Sequence, residues 1–119
     1  MASIQKIFKA ARRGNVKAQF NLAEMYEAGL DVPQDYTEAV KWYRMVAEQD
    51  NAKAQFHLGA MYQEGRGVEA DYVLAHMWFN LSGSQRFEYA SEARDGLASR
   101  MTPDQVAAAQ KLAREWKPK

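Results

Sequence analysis

The chain has 119 residues, 47% hydrophobic and 26% charged, with 16 basic against 15 acidic residues and a formal net charge of +1. That length supports one domain, read here as 1–119, able to bury roughly two-thirds of its unfolded surface. The apolar content and near-zero net charge exclude a disordered chain and the basic excess of a generic nucleic-acid binder, and the lack of cysteine excludes disulfides, thiolate metal sites and cysteine nucleophiles.

Hydrophobic periodicity predicts seven helices, near 2–13, 16–28, 35–49, 52–64, 71–83, 87–100 and 103–116. In the second, Gln19, Leu22, Ala23 and Tyr26 share one face, and Gly29 supplies the left-handed stop at its end. Asp35 stands where the third helix needs an N-cap, with Glu38 at capping-box spacing, and Ala39, Trp42, Tyr43, Val46 and Ala47 form its apolar stripe. The fourth and fifth helices then repeat the second and third at an offset of 36. Leu22 recurs as Leu58, Met25 as Met61, Tyr26 as Tyr62, Gly29 as Gly65, Asp35 as Asp71 and Trp42 as Trp78. Residues 18–53 and 54–89 share 13 identities in 36 positions, where unrelated segments share roughly two or three. The chain therefore divides into an N-terminal half-repeat or cap over 2–14, full repeats over 15–50 and 51–86, and a diverged capping hairpin over 87–119. Thr102-Pro103-Asp104-Gln105 is the clearest helix start of all.

Leu58-Gly59-x-x-Tyr62 followed by Ala75-x-x-x-Phe79 has the internal spacings of tetratricopeptide half-signatures, but the period is 36 and the added length lies in Gly65-Arg66-Gly67-Val68. Together with Ala52-Lys53-Ala54-Gln55, Asp71 and Trp78-Phe79, this resembles the Sel1-like repeat family. The first copy departs from the pattern, with Ala23 for Gly59 and Asp31 for Gly67, so a different shape is expected of that loop. Arg94 to Ala98 with Met101 to Gln105 is similar to the tail of bacterial members. The resemblance implies an all-α fold, a right-handed α-solenoid of antiparallel helix pairs, and a scaffold or adaptor role. One hairpin cannot cover its own aromatic face, so stacking and terminal caps are required on physical grounds as well.

Chemistry is sparse. The two histidines, His57 and His76, have no partners at metal-ligand spacing, so neither a metal nor another cofactor is expected. Glu24 with Glu27 and Glu92 with Asp95 lie three apart on helices and read as solvated faces, and no Gly-x-Ser-x-Gly is present. A recurrent aromatic core, with Tyr62 and Trp78 holding adjacent helices together, accounts for the repeated rings. Phe20 and Phe56 sit two positions before the core leucines, at the edge of the packed stripe, where an aromatic can anchor a partner. The expected partner-binding surface is the concave face: Lys17, Phe20, Asn21, Glu24 and Glu27 in the first repeat, with Lys53, Phe56, His57, Ala60 and Gln63 in the second.

Charge is uneven. Residues 1–17 hold five basic residues and no acid, whereas 18–72 hold ten acids against four basic residues, which suggests a groove that favours a basic protein or peptide. The leading expectation is a non-catalytic protein–protein interaction module. RNA binding by helical repeats is the alternative and an enzyme the third option; nucleic acid is disfavoured by the acidic middle and by only two complete units. Self-association through the solenoid ends is open. The polar start and the lack of a long apolar run predict no membrane insertion and a cytoplasmic chain, though a mature secreted or periplasmic form would read the same.

Overall fold

A computed structural model of the chain describes residues 4–119 as α1 (Ile4–Arg12), α2 (Val16–Ala28), α3 (Tyr36–Ala47), α4 (Ala52–Glu64), α5 (Tyr72–Ser84), α6 (Ala90–Ala98) and α7 (Pro103–Glu115). There is no strand among the described residues. The start expected for the first helix, at residue 2, lies outside them.

Side-chain caps open five of these helices. Asn15 Oδ1 and Asn51 Oδ1 each accept the N–H three residues on at 2.9 Å, so α2 and α4 start in the same register. Asp35 and Asp71 do the same for α3 and α5, at 3.1 and 3.0 Å. The capping box expected at Asp35 and Glu38 is only half made. The Asp35 N–H, which the Glu38 carboxylate would have to take, already donates to the Tyr26 carbonyl at 2.9 Å, and Asp71 N–H likewise donates to Tyr62 at 3.0 Å. Those two bonds close each inter-helix loop onto the helix before it. Thr102 and Gln105 complete the reciprocal box at the start of α7.

The core is the repeated stripe. Leu22, Ala23, Ala39, Tyr43, Val46, Ala47, Ala54 and Leu58 are fully buried in one continuous cluster, which is where hydrophobic burial stabilises the array. Tyr62 ties α4 to α3 by accepting a hydrogen bond from Arg44 Nη2, and the Arg44 guanidinium also lies 5.8 Å from the Tyr62 ring centroid. Two buried amides bind each repeat to the segment before it: Gln19 Nε2 donates to the Ala11 carbonyl at 3.0 Å and Gln55 Nε2 to the Ala47 carbonyl at 3.3 Å. Each of α1 to α5 packs on its successor, giving an elongated all-α solenoid of 49 × 25 × 21 Å.

Two expectations change in the structure. Residues 87–119 hold two helices, but α6 and α7 each pack on α5 and scarcely on one another, so they flank it instead of closing as a hairpin. The reason is Trp116, whose ring stands edge-on to buried Trp78 at 5.9 Å and draws α7 back along α5. The tail goes further: Lys119 N–H donates to the Glu48 carbonyl at 2.7 Å, and its ammonium pairs with the Glu48 carboxylate at 3.0 Å. The α6 helix also starts later than the expected residue 87, because Tyr89, with φ 70°, turns the chain just before Ala90.

The second change concerns the loops. Gly29 and Gly65 stop their helices at φ 72° and 68°, and the next paired positions, Asp31 and Gly67, adopt φ 63° and 73°. The first loop therefore keeps the shape of the second despite its aspartate, a residue that tolerates the left-handed region through its short polar side chain. Gly67 has a stricter requirement. A Cβ there would run into the Tyr36 backbone at the start of α3, because the second loop docks on the first repeat. At the paired position Asp31 carries a side chain at φ 63°.

Two stability measurements follow from this packing. Trp78→Ala is expected to cost about 3–5 kcal/mol in chemical denaturation, through lost contact with both the core and Trp116. Gly67→Ala is expected to cost about 1–3 kcal/mol from overpacking and left-handed strain, whereas Asp31→Gly does not lower stability at all. Equal effects at the two loop positions would refute the docking of the second loop on Tyr36.

Candidate functional site

Residues 17, 20, 21, 24 and 27 recur every three or four positions, so α2 presents them along one side while Ala18, Leu22 and Ala23 face the core. Two clefts adjoin along this side. The first, of about 530 Å³, is lined by Val16, Lys17, Phe20, Asn21 and Glu24 with Asn51 and Lys53 from the start of the next repeat. The second, of about 480 Å³, is lined by Asn21, Glu24, Met25, Glu27, Ala28 and Leu30, together with Ile7 of α1, Tyr43 of α3 and His57 of α4. Asn21 and Glu24 line both, so the two form one trough along α2.

Its floor is aromatic and rigid. The His57 imidazole stacks on the Tyr43 ring at 5.0 Å with 2° between planes, and Phe20 stands edge-on to both, at 5.6 and 5.7 Å. Tyr43 is fully buried, and its O–H donates to Glu27 Oε1 at 2.6 Å. Burial foremost, then that bond and the charges of Glu27 and Glu24, raise the Tyr43 phenol far above its ordinary range. Lys53 places its ammonium 4.9 Å from the Phe20 ring centroid, a cation–π contact that leaves the charge facing the cleft mouth.

The two candidate anchors have different surroundings. Phe20 lines the trough. Phe56 packs against Phe79 at 5.6 Å and Phe87 at 5.4 Å, and with Ala60 it belongs to the flank of a second apolar cluster around Ala75, Phe79 and Leu97. Neither Phe56, Ala60 nor Gln63 lines either cleft. The structure thus gathers Lys17, Phe20, Asn21, Glu24, Glu27, Lys53 and His57 around one trough and leaves those three apart. Sequence reasoning missed Tyr43, which it assigned to the core stripe alone. The available signal was the tyrosine hydroxyl at a position where the second repeat has Phe79.

No group of three or more His, Cys, Asp or Glu among the described residues is arranged to hold a metal ion. Nor is any described helix long and apolar enough to cross a membrane. The trough offers shape, an aromatic floor and opposite charges; these are elements of binding.

Both histidines are shifted towards the neutral form. Burial pushes His57 below the ordinary value of 6.5 and Lys53 adds to the shift, against the opposing pull of Glu27 and Glu24. His76 is lowered by burial and then by Arg94, with Asp95 opposing, and its buried Nδ1 has no partner. A base with a depressed folded pKa gives stability that is complete above its unfolded value and is lost as pH falls below it. The melting temperature is therefore expected to drop on acidification from pH 6.5 to about 5. Replacing both histidines by asparagine should flatten that step. Histidine ring titrations by NMR should place both midpoints below 6.5, with Glu27→Gln lowering that of His57 further.

Comparison with known proteins agrees with this architecture. The model of the Sel1 repeat matches residues 16–51 and 52–86. No curated protein matches the chain. Among solved structures, the chain is similar to c5321, described as a protective antigen present in uropathogenic Escherichia coli strains displaying an SLR fold, with 34% identity and a TM-score of 0.90. That likeness covers 95% of this chain and 24% of the other. A Sel1 repeat protein from Oxalobacter formigenes is 38% identical, with a TM-score of 0.73, over 76% of this chain and 37% of its own. The chain thus spans between about a quarter and two-fifths of the length of these structures.

Proposed function

The chain belongs to the Sel1 repeat family, and from that premise we propose that it is a non-catalytic adaptor that holds a segment of another protein in the trough along α2. Sel1 repeat proteins are generally protein-interaction modules. The observation that carries the reading here is Phe20: a half-buried ring, fixed edge-on to Tyr43 and His57, lining an open cleft between two repeats. A rigid aromatic of this kind contributes contact area at little entropic cost and is where interface energy concentrates. Lys17, Asn21 and Glu24 surround it with polar groups, and the partner's basic group is drawn by Glu24 and Glu27. Phe56, half-buried like Phe20, packs on Phe79 and Phe87 away from the trough.

Two alanine variants test the assignment. Phe20→Ala is expected to weaken partner capture at least about tenfold per folded molecule, or roughly 1.4 kcal/mol, whatever its effect on melting temperature. Phe56→Ala is expected to lower the melting temperature first. Calorimetric titration of a partner isolated by affinity capture, alongside thermal melts, separates the two effects. Intact affinity per folded molecule in Phe20→Ala would remove the trough from the interface.

A further inference from the structure

The trough has a charge direction. Lys17 and Lys53, from the first turns of α2 and α4, line one end, while Glu24 lies at its middle and Glu27 in the far half. The Lys17 and Glu24 side chains make no hydrogen bond or ion pair among the described residues, and Lys53 rests on the Phe20 ring with no carboxylate partner. Glu27 uses one carboxylate oxygen on the Tyr43 hydroxyl. Lys17 and Glu24 are seven residues apart on one helix, about 10 Å, too far to neutralise one another. Opposite charges kept apart along one trough, with an aromatic step between them, are complementary to a chain that carries the reverse charges at the same separation.

We infer, building on the trough as the partner-binding groove, that its occupant is an extended internal segment of another protein with an acidic side chain at the Lys17–Lys53 end and a basic one at the Glu24–Glu27 end. Lys17 to Glu24 and Lys17 to Glu27 span about 10 and 15 Å along the helix. At about 3.3 Å per residue, an extended peptide covers this in three to five residues. An apolar residue between the two charges meets Phe20. Lys17, Lys53 and Glu24 are all exposed, which leaves the room at both ends that an internal segment needs to run on into solvent. A wholly basic segment would set a cation against the two lysines, and a wholly acidic one would set a carboxylate against Glu24.

The test uses the 119-residue chain and three fluorescein-labelled nonapeptides, blocked at both ends, each with a central leucine in a Gly-Ser background. One carries Glu and Arg four residues apart, one carries two Arg and one carries two Glu. Fluorescence polarisation at low salt is expected to show the Glu/Arg peptide binding at least about tenfold more tightly than the other two. Lys17→Glu combined with Lys53→Glu is expected to transfer the preference to the two-Arg peptide, and Glu24→Lys to the two-Glu peptide, so one folded variant suffices. If the unaltered protein takes the two-Arg peptide equally well, and Phe20→Ala weakens it, the charge direction is overturned and the groove reading stands. Glu/Arg binding that neither Phe20→Ala nor the charge reversals alter overturns both. No binding of any peptide at about 1 mM, or a dimer that the lysine reversals dissociate, overturns the inferred occupant.

Discussion

A carboxamide buried among apolar side chains must find its hydrogen bonds inside the protein, and this constraint sets how the repeats are stacked. Gln19 and Gln55 are almost fully buried, and each has one orientation in which its Nε2 reaches the last turn of the preceding helix, at Ala11 or Ala47. Its oxygen is met from the other side, by Gln49 for Gln19 and by Gln85 for Gln55, at 3.1 Å in both. The donor pairs are themselves 36 residues apart, so the bonds form a ladder along the array. A shift of either helix would strand a polar group at a cost of about 1–3 kcal/mol. The aromatic stacks and the trough rest on spacing held by these bonds.

Within that fixed spacing, the two repeats diverge at the positions that shape the trough. Asn21 corresponds to His57, and Tyr43 to Phe79. Gly59 leaves room for Phe79, since a Cβ there would lie 2.8 Å from its ring; the first repeat has Ala23 at this position and the hydroxyl-bearing Tyr43 opposite. Tyr43 finds a hydrogen-bond acceptor in Glu27, and the position equivalent to Glu27 in the second repeat is Gln63. The trough is thus a property of the junction between unequal neighbours. A perfect duplication would have produced either two of it or none.

Much of the fold was legible because its determinants are local. Asn and Asp caps, the glycine stops and the 36-residue recurrence of Leu22, Trp42 and their partners all act within a few residues or repeat outright. The placement of α7 was not legible, because it rests on long-range contacts, Trp116 on Trp78 and the burial of Ala109 among them, that no periodicity announces. Phe20 and Phe56 are alike in the sequence pattern; they differ because Phe87 packs on the second while the Lys53 ammonium lies over the first. Charge was read as a regional sum, which split Lys17 of the basic start from Lys53 of the acidic middle, although the capped starts of α2 and α4 bring both to the same cleft.

The clasp between Lys119 and Glu48 bears on how such an array comes apart. In a solenoid of nearest-neighbour contacts, stability is close to a sum over units, and the ends can fray while the middle stays folded. Here the last residue is fastened to the end of α3, 71 positions earlier, with α7 laid along α5 between them. Peeling α7 away breaks that distant contact at once, and melting α3 releases the tail. The clasp ties the end of the first repeat to the final helix through one backbone bond and one exposed ion pair, each worth about 1 kcal/mol. A ribbon of modular units thereby gains one contact that skips its neighbours, at the place where fraying would otherwise begin.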